Sequence, residues 1–216
     1  MLNKRLQAVS ELIEPCDVLM DVGSDHGFLP MYLLQNEVVK HAIIGDLNSG
    51  PLDQAKKNFK NNASLNATFV KSNGINGYSG TIDCVVIAGM GFETIQSIIE
   101  QDIVRFKNIS QIVIQSNTKV EELRKYLNDN NFRILDESII KDRKYFYPIL
   151  KVKYDLVHQE LDEKELLFGP ILIRKNSDIF VNYLLFKRTV EERIRIAQKK
   201  ESSERIQLIN TLLHLK

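Results

Sequence analysis

The stretch Val18-Leu-Met-Asp21-Val-Gly23-Ser-Asp25-His26-Gly27-Phe28 constrains this chain more than any other. An apolar run ends in an acid, breaks into a glycine-bearing turn and opens a helix. A parallel α/β sheet presents its first strand and first ligand loop in that order. A ligand lying over such a loop needs close backbone approach and unpaired N–H groups at the helix start.

The rest of the chain repeats the alternation. Leu6, Val9, Leu12 and Ile13 predict a short helix over residues 3–14, ended by Pro15. Strands are expected at 18–22, 41–46, 67–70, 82–88 and 109–114. Helices are expected over 29–35, after Pro51, around Ile95–Ile99 and from Val120 to Leu127. Residues 132–140 and 145–152 flank the charged turn 141–144 and read as a hairpin. The sum is a parallel sheet with an antiparallel hairpin edge, in an α/β domain spanning residues 1–154.

After Tyr154 the texture changes. Phe168-Gly169-Pro170 is a breaker, and Ile179, Tyr183, Phe186, Val190, Ile194 and Ala197 form an apolar helical stripe. Residues 201–204 interrupt it, and Ile206, Ile209 and Leu213 begin a second stripe. Residues 155–216 are therefore expected to be a linker followed by an antiparallel helix pair. Residues 1–154 balance 18 Lys+Arg against 18 Asp+Glu, residues 155–170 carry 1 against 5, and residues 171–216 carry 10 against 5. A basic tail of that kind attracts a polyanion.

At 216 residues with 44% hydrophobic content the chain can bury a full α/β core. It contains no apolar run of about 18 residues, and its N-terminus has no signal core, so a cytoplasmic location is the expectation. Cys16 and Cys84 lack the spacing of a disulfide framework or zinc site and read as reduced thiols. No metal, no membrane partner and a monomeric state are expected.

Four loops at strand ends carry glycine or polar residues: 21–27, 46–48, 72–74 and 88–91. In an open sheet they gather over one edge. Asp46, closing the second strand, has the reach of a ribose, whose vicinal hydroxyls a carboxylate accepts. The first loop holds Gly23 and Gly27 with Asp25 between them. A pyrophosphate would be repelled by Asp25, whereas S-adenosylmethionine, with its ammonium and sulfonium, would be attracted. That points to a methyltransferase over a dehydrogenase.

The motifs 21–26 (Asp-Val-Gly-Ser-Asp-His), Leu29-Pro30, Gly45-Asp46, Gly50-Pro51, 87–91 (Ile-Ala-Gly-Met-Gly), Gln115-x-Asn117 and Gly169-Pro170 resemble the bacterial TrmK family. Its members methylate N1 of the adenine at position 22 of tRNA. The resemblance implies a Rossmann-like class I methyltransferase sheet and a C-terminal two-helix, coiled-coil-like domain. It also implies S-adenosyl-L-methionine as cofactor and tRNA as partner. Its cofactor residues would be Asp21, Gly23, Ser24, Asp25, His26, Gly27, Asp46, Leu47, Asn73, Gly74, Ala88, Gly89 and Met90. Asp25 and His26 are the expected catalytic pair. Phe28, Met90, Phe92 and Asn117 would meet the target base, and Lys187, Arg188, Arg193, Arg195, Lys199 and Lys200 the RNA backbone. The chain departs from the family at Asn73, Phe92 and Ser116, where Asp, Gly and Pro are usual. Two other readings stay open on the residues: a methyltransferase on another RNA site, small molecule or protein, and a non-catalytic RNA-binding module.

Overall fold

The computed structural model describes residues 2–199 and 203–214, with the side chains of Asn61 and His214 left aside. Helix α1 (Lys4–Ser10) starts where the Asn3 side chain accepts a hydrogen bond from the Leu6 amide at 2.9 Å. Seven strands follow: β1 (Cys16–Val22), β2 (Val39–Asp46), β3 (Ala67–Lys71), β4 (Cys84–Met90), β5 (Gln111–Ser116), β6 (Phe132–Asp142) and β7 (Tyr145–Tyr154). They form one sheet in the order β3-β2-β1-β4-β5-β7-β6. β1 to β5 are parallel, and β7 runs antiparallel to both its neighbours. This is the Rossmann-like sheet expected, with one detail added: the second arm of the hairpin takes the inner place. The reason is burial. β7 is buried from Pro148 to Val152, whereas β6 alternates.

Helices α2 (Phe28–Gln35), α3 (Ser49–Phe59), α4 (Phe92–Gln101), α5 (Ile103–Phe106) and α6 (Val120–Asp129) cover the sheet. One face packs Ile95, Ile98, Phe106, Leu123 and Leu127 over Met20, Val85 and Ile112. The other packs Val9, Leu29, Leu33, Leu52 and Ala55 over Leu19, Ile44 and Val86. In β4, Cys84, Val85, Val86 and Ile87 are wholly buried. Each such aliphatic side chain contributes roughly 1.5–3 kcal/mol, and a strand buried on both faces reads as an unbroken apolar run. The strand order reverses between β1 and β4, so the switch-point crevice lies at their carboxyl ends.

The segment 155–175, read as linker, contains two short helices, α7 (Glu163–Phe168) and α8 (Pro170–Lys175). An Asp162–Glu165 capping box starts α7, which is why an acidic stretch is helical here. The long α9 (Asp178–Ala197) then pairs antiparallel with α10 (Glu204–His214), with Arg188 facing Asn210 and Arg205 facing Glu191. These helices share a core with the hairpin: Phe168, Leu172, Phe180, Tyr183, Leu184, Ile209 and Leu212 pack with Ile139 and Phe146. Among the described residues no helix is long and apolar enough to cross a membrane.

Candidate active site

The carboxyl ends of the strands are joined edge to edge by backbone hydrogen bonds. The amides of Gly23 and Ser24 donate to the Gly45 carbonyl at 2.8 and 3.1 Å, and the Ser72 amide donates to the Asp46 carbonyl at 2.9 Å. Three of the four predicted loops are thus held in one row above β1, β2 and β3. The fourth meets them through Met90, whose terminal methyl lies over Gly23. A Cβ on Gly23, which sits at φ +73°, would fall 2.0 Å from that methyl. The glycine therefore lets the first and fourth loops close on each other.

Two acids sit at the base of the row. Asp21 is 7% exposed, and burial raises its carboxyl to about 6, with a hydrogen bond from Ser24 opposing the rise and the charge of Asp46 adding to it. Asp46 is 9% exposed, and its Oδ1 accepts from the Asn48 amide at 2.8 Å. Its other oxygen accepts nothing among the described residues and is available to a hydroxyl pair.

Above Asp21 lies a cavity of about 210 Å³ lined by Asn3, Arg5, Leu6, Asp21, residues 23–29 and Ala88. Asp25 stands on its open side, with its side chain 77% exposed and its carboxylate 3.4 Å from the His26 imidazole. The ring of His26 lies 5.4 Å from that of Phe28, which is itself 49% exposed. The Asn58 side chain donates to the His26 carbonyl at 2.9 Å and fixes the loop from α3.

Leu47 is exposed beside Asp46, Asn73 is exposed, and Gly74 is buried against Ile98. Phe92 does not reach the cavity; its ring packs edge-on against Tyr126 of α6, 6.4 Å away, because α4 turns that face to the core. The Asn117 side chain is committed to the fourth loop. Its Nδ2 donates to the Gly89 carbonyl at 2.7 Å, while Gln115 Oε1 accepts from the Gly89 amide at 3.1 Å and Gln115 Nε2 donates to Asn117 Oδ1 at 3.1 Å.

Several predicted RNA-gripping cations of the tail are partnered within the protein. Lys187 is ion-paired with Glu121 at 2.8 Å and Arg195 with Glu192 at 2.8 Å, and Arg188 is half-buried against Asn210. Arg193 and Lys199 are exposed. Lys200 lies outside the described residues.

Arg5 carries no signal in the sequence, and Gln115 stands there only as part of the Gln115-x-Asn117 motif, without a role of its own. Arg5 sits on a helix before the first strand, and only packing brings it to the cavity. Gln115 is a wholly buried polar residue at a strand end, and its bracing of the Gly89 amide is a contact across 26 positions that the motif alone does not reveal.

The loop row, the buried acid under it and the second acid beside it suit a ligand that is cationic at one end and a nucleoside at the other. Fold and site together define an S-adenosylmethionine-dependent methyltransferase. A family model described as tRNA (adenine(22)-N(1))-methyltransferase matches residues 19–215, and the chain belongs to that family, TrmK. It is 28% identical over 186 residues to the tRNA (adenine(22)-N(1))-methyltransferase of Bacillus subtilis, covering 83% of this chain and 78% of that protein. Among solved structures it is similar to a Streptococcus pneumoniae putative tRNA (m1A22) methyltransferase in complex with S-adenosyl-L-methionine. That match has 31% identity and a TM-score of 0.87, covering 99% of this chain and 100% of that one. It is also similar to M. capricolum TrmK in complex with S-adenosyl-homocysteine, with 29% identity and a TM-score of 0.84, covering 100% of this chain and 99% of that one. The reaction is methyl transfer from S-adenosylmethionine to N1 of adenine 22 of tRNA.

Proposed function

We propose the following division of labour for that reaction. Asp46 accepts from the ribose hydroxyls of the cofactor, with Leu47, Asn73 and Gly74 around its adenine. Asp21, Gly23, Ser24 and Gly27 hold its methionine end, and Ala88, Gly89 and Met90 wall the reacting centre. The observation that carries this reading is the buried Asp21 under a loop row sewn to Asp46. An acid that burial has made reluctant to ionise gains most from a cationic ligand.

Bound there, S-adenosylmethionine supplies an electrophilic methyl on a sulfonium. N1 of adenine carries an in-plane lone pair and attacks it without first losing a proton; the new N–C bond forms as the C–S bond breaks, leaving the base cationic. The protein's work is alignment and exclusion of water. Asp25, with His26 3.4 Å away, stabilises the developing charge on the base, and Phe28 offers it a stacking face once it has left its stack in the RNA. Asn117 acts through the Gly89 turn, and Phe92 through α4 packing.

The chain works as two parts, residues 1–154 for chemistry and 155–216 for tRNA, with the exposed Arg193 and Lys199 as the tail's contribution. We assign it as a monomeric, metal-independent enzyme of the cytoplasm, where tRNA is its substrate. Asp25→Ala tests the catalytic assignment. Methyl transfer should fall roughly 10²-fold while cofactor affinity falls far less. A loss of binding in proportion to activity would leave Asp25 as a cofactor ligand only.

A further inference from the structure

The tip of the β6–β7 hairpin stands at the same edge of the sheet as the cofactor loops. β6 runs parallel to β5, and the pairing of Ile114 with Leu150 sets Pro148 level with the end of β5. Tyr145 lies three residues further on, which carries the tip roughly 10 Å above that edge. The turn is Asp142-Arg143-Lys144-Tyr145, with Arg143 at φ +54° and every one of these side chains exposed.

Strand alternation divides the aromatics of β7. Phe146 points to the tail, where its ring meets Tyr183 and Phe186. Tyr145 and Tyr147 share the opposite face, 6.5 Å apart. At one end of this pair the Arg5 guanidinium lies 5.9 Å from the Tyr147 ring and against Gly89 at the cavity rim. At the other, the Lys144 ammonium lies 5.2 Å from the Tyr145 ring. Cation, ring, ring and cation thus run in a row from the reaction site to the hairpin tip. Among the described residues, Arg5, Arg143 and Lys144 have no carboxylate partner, in contrast to Lys187, Arg195 and Arg205, which the protein's own glutamates neutralise.

We propose that this row is the track on which the unstacked tRNA strand flanking the target adenine lies. Phosphates sit on Arg5, Arg143 and Lys144, and bases stack on Tyr145 and Tyr147. Cations spaced by rings that solvent reaches, Tyr145 exposed and Tyr147 half-buried, are what a single strand needs, since every base offers a π-face and every nucleotide a charge. The track deepens the tRNA reading and rests on it: it places the grip at the rim of the chemistry, in addition to the tail.

The test measures tRNA affinity, cofactor affinity and steady-state methylation for wild type, Arg143→Glu/Lys144→Glu, Tyr145→Ala and Tyr145→Phe. These residues are exposed, so the melting temperature and cofactor affinity should match wild type. The double variant should lose at least tenfold in tRNA affinity at moderate salt, and its log–log salt slope should become shallower by about 1.4. Tyr145→Ala should raise KM for tRNA at least roughly fivefold with kcat retained, and Tyr145→Phe should restore it. Wild type that methylates tRNA while the double variant keeps full affinity and an unchanged salt slope would overturn the track alone. Failure of wild type to methylate tRNA would overturn the reading beneath it.

Discussion

Arg124 on α6 donates from Nε to Oε1 of Glu137 on β6 at 2.9 Å, and both side chains are wholly buried. Arg124 Nη1 also donates to the carbonyls of Leu166 and Leu167 at the end of α7, at 3.3 and 3.2 Å. Glu137 Oε2 accepts from the amides of Ile171 and Leu172 at the start of α8, at 3.0 and 3.4 Å. One ion pair thereby caps the end of one helix and the start of the next and fixes the tail to the sheet. Gly169, between those helices, sits at φ +95°, and a Cβ there would fall 2.5 Å from Glu137 Oε2. The Gly169-Pro170 motif is the imprint of this joint.

Removing one partner strands a buried charge and orphans backbone groups. Glu137→Ala should cost about 3–5 kcal/mol, lowering the melting temperature by about 6–20 °C. Gly169→Ala should destabilise in the same direction by crowding the same carboxylate. Calorimetric melting checks both, and a Glu137→Ala melt within two or so degrees of wild type would contradict the joint.

The raised Asp21 carboxyl makes cofactor binding and stability pH-dependent. Its folded value of about 6 exceeds the ordinary 3.8, so the fold favours the neutral form. Its contribution to stability is complete below 3.8 and is lost as pH rises through about 6. In the protein without cofactor, Asp21→Asn should therefore stabilise at pH 8, by about 3 kcal/mol at most, and change little at pH 4. Chemical unfolding at the two pH values reads this directly.

A cationic cofactor favours the ionised carboxyl and should expel its proton. Titration calorimetry at pH 6 in buffers of differing ionisation enthalpy should show a fraction of a proton released on S-adenosylmethionine binding. The affinity should rise between pH 5 and pH 7. Heats independent of buffer would remove Asp21 from the cofactor's ammonium.

Gln115 and Asn117 brace the Gly89 turn from below. Asn117→Ala frees the Gly89 carbonyl, and Gln115→Leu orphans the Gly89 amide. Each should lower kcat about tenfold or more through misalignment with cofactor affinity nearly retained. Single-turnover methylation beside a cofactor titration checks the split; equal loss in both would make the brace a part of cofactor binding.

Much of the fold was legible because parallel strands buried on both faces are written as apolar runs, as in residues 84–87. Asp21 and Asp46 stood out for the same reason, as acids closing such runs. What was not legible depends on distant partners. The pairing of Lys187 with Glu121 spans 66 positions and converts an expected RNA contact into an internal one. The inner place of β7 follows from which hairpin arm the neighbouring β5 buries, and α7 was masked by the acids that cap it. Arg5 reaches the cavity only through the packing of α1 on β6 and β7.

The most direct measurement incubates the protein with unmodified tRNA and S-adenosylmethionine, then locates the methyl group by nuclease digestion and mass analysis. The expected product is 1-methyladenosine at nucleotide 22, formed in wild type and strongly reduced by Asp25→Ala. A methyl on another base or nucleotide, or no transfer to tRNA at all, would contradict it.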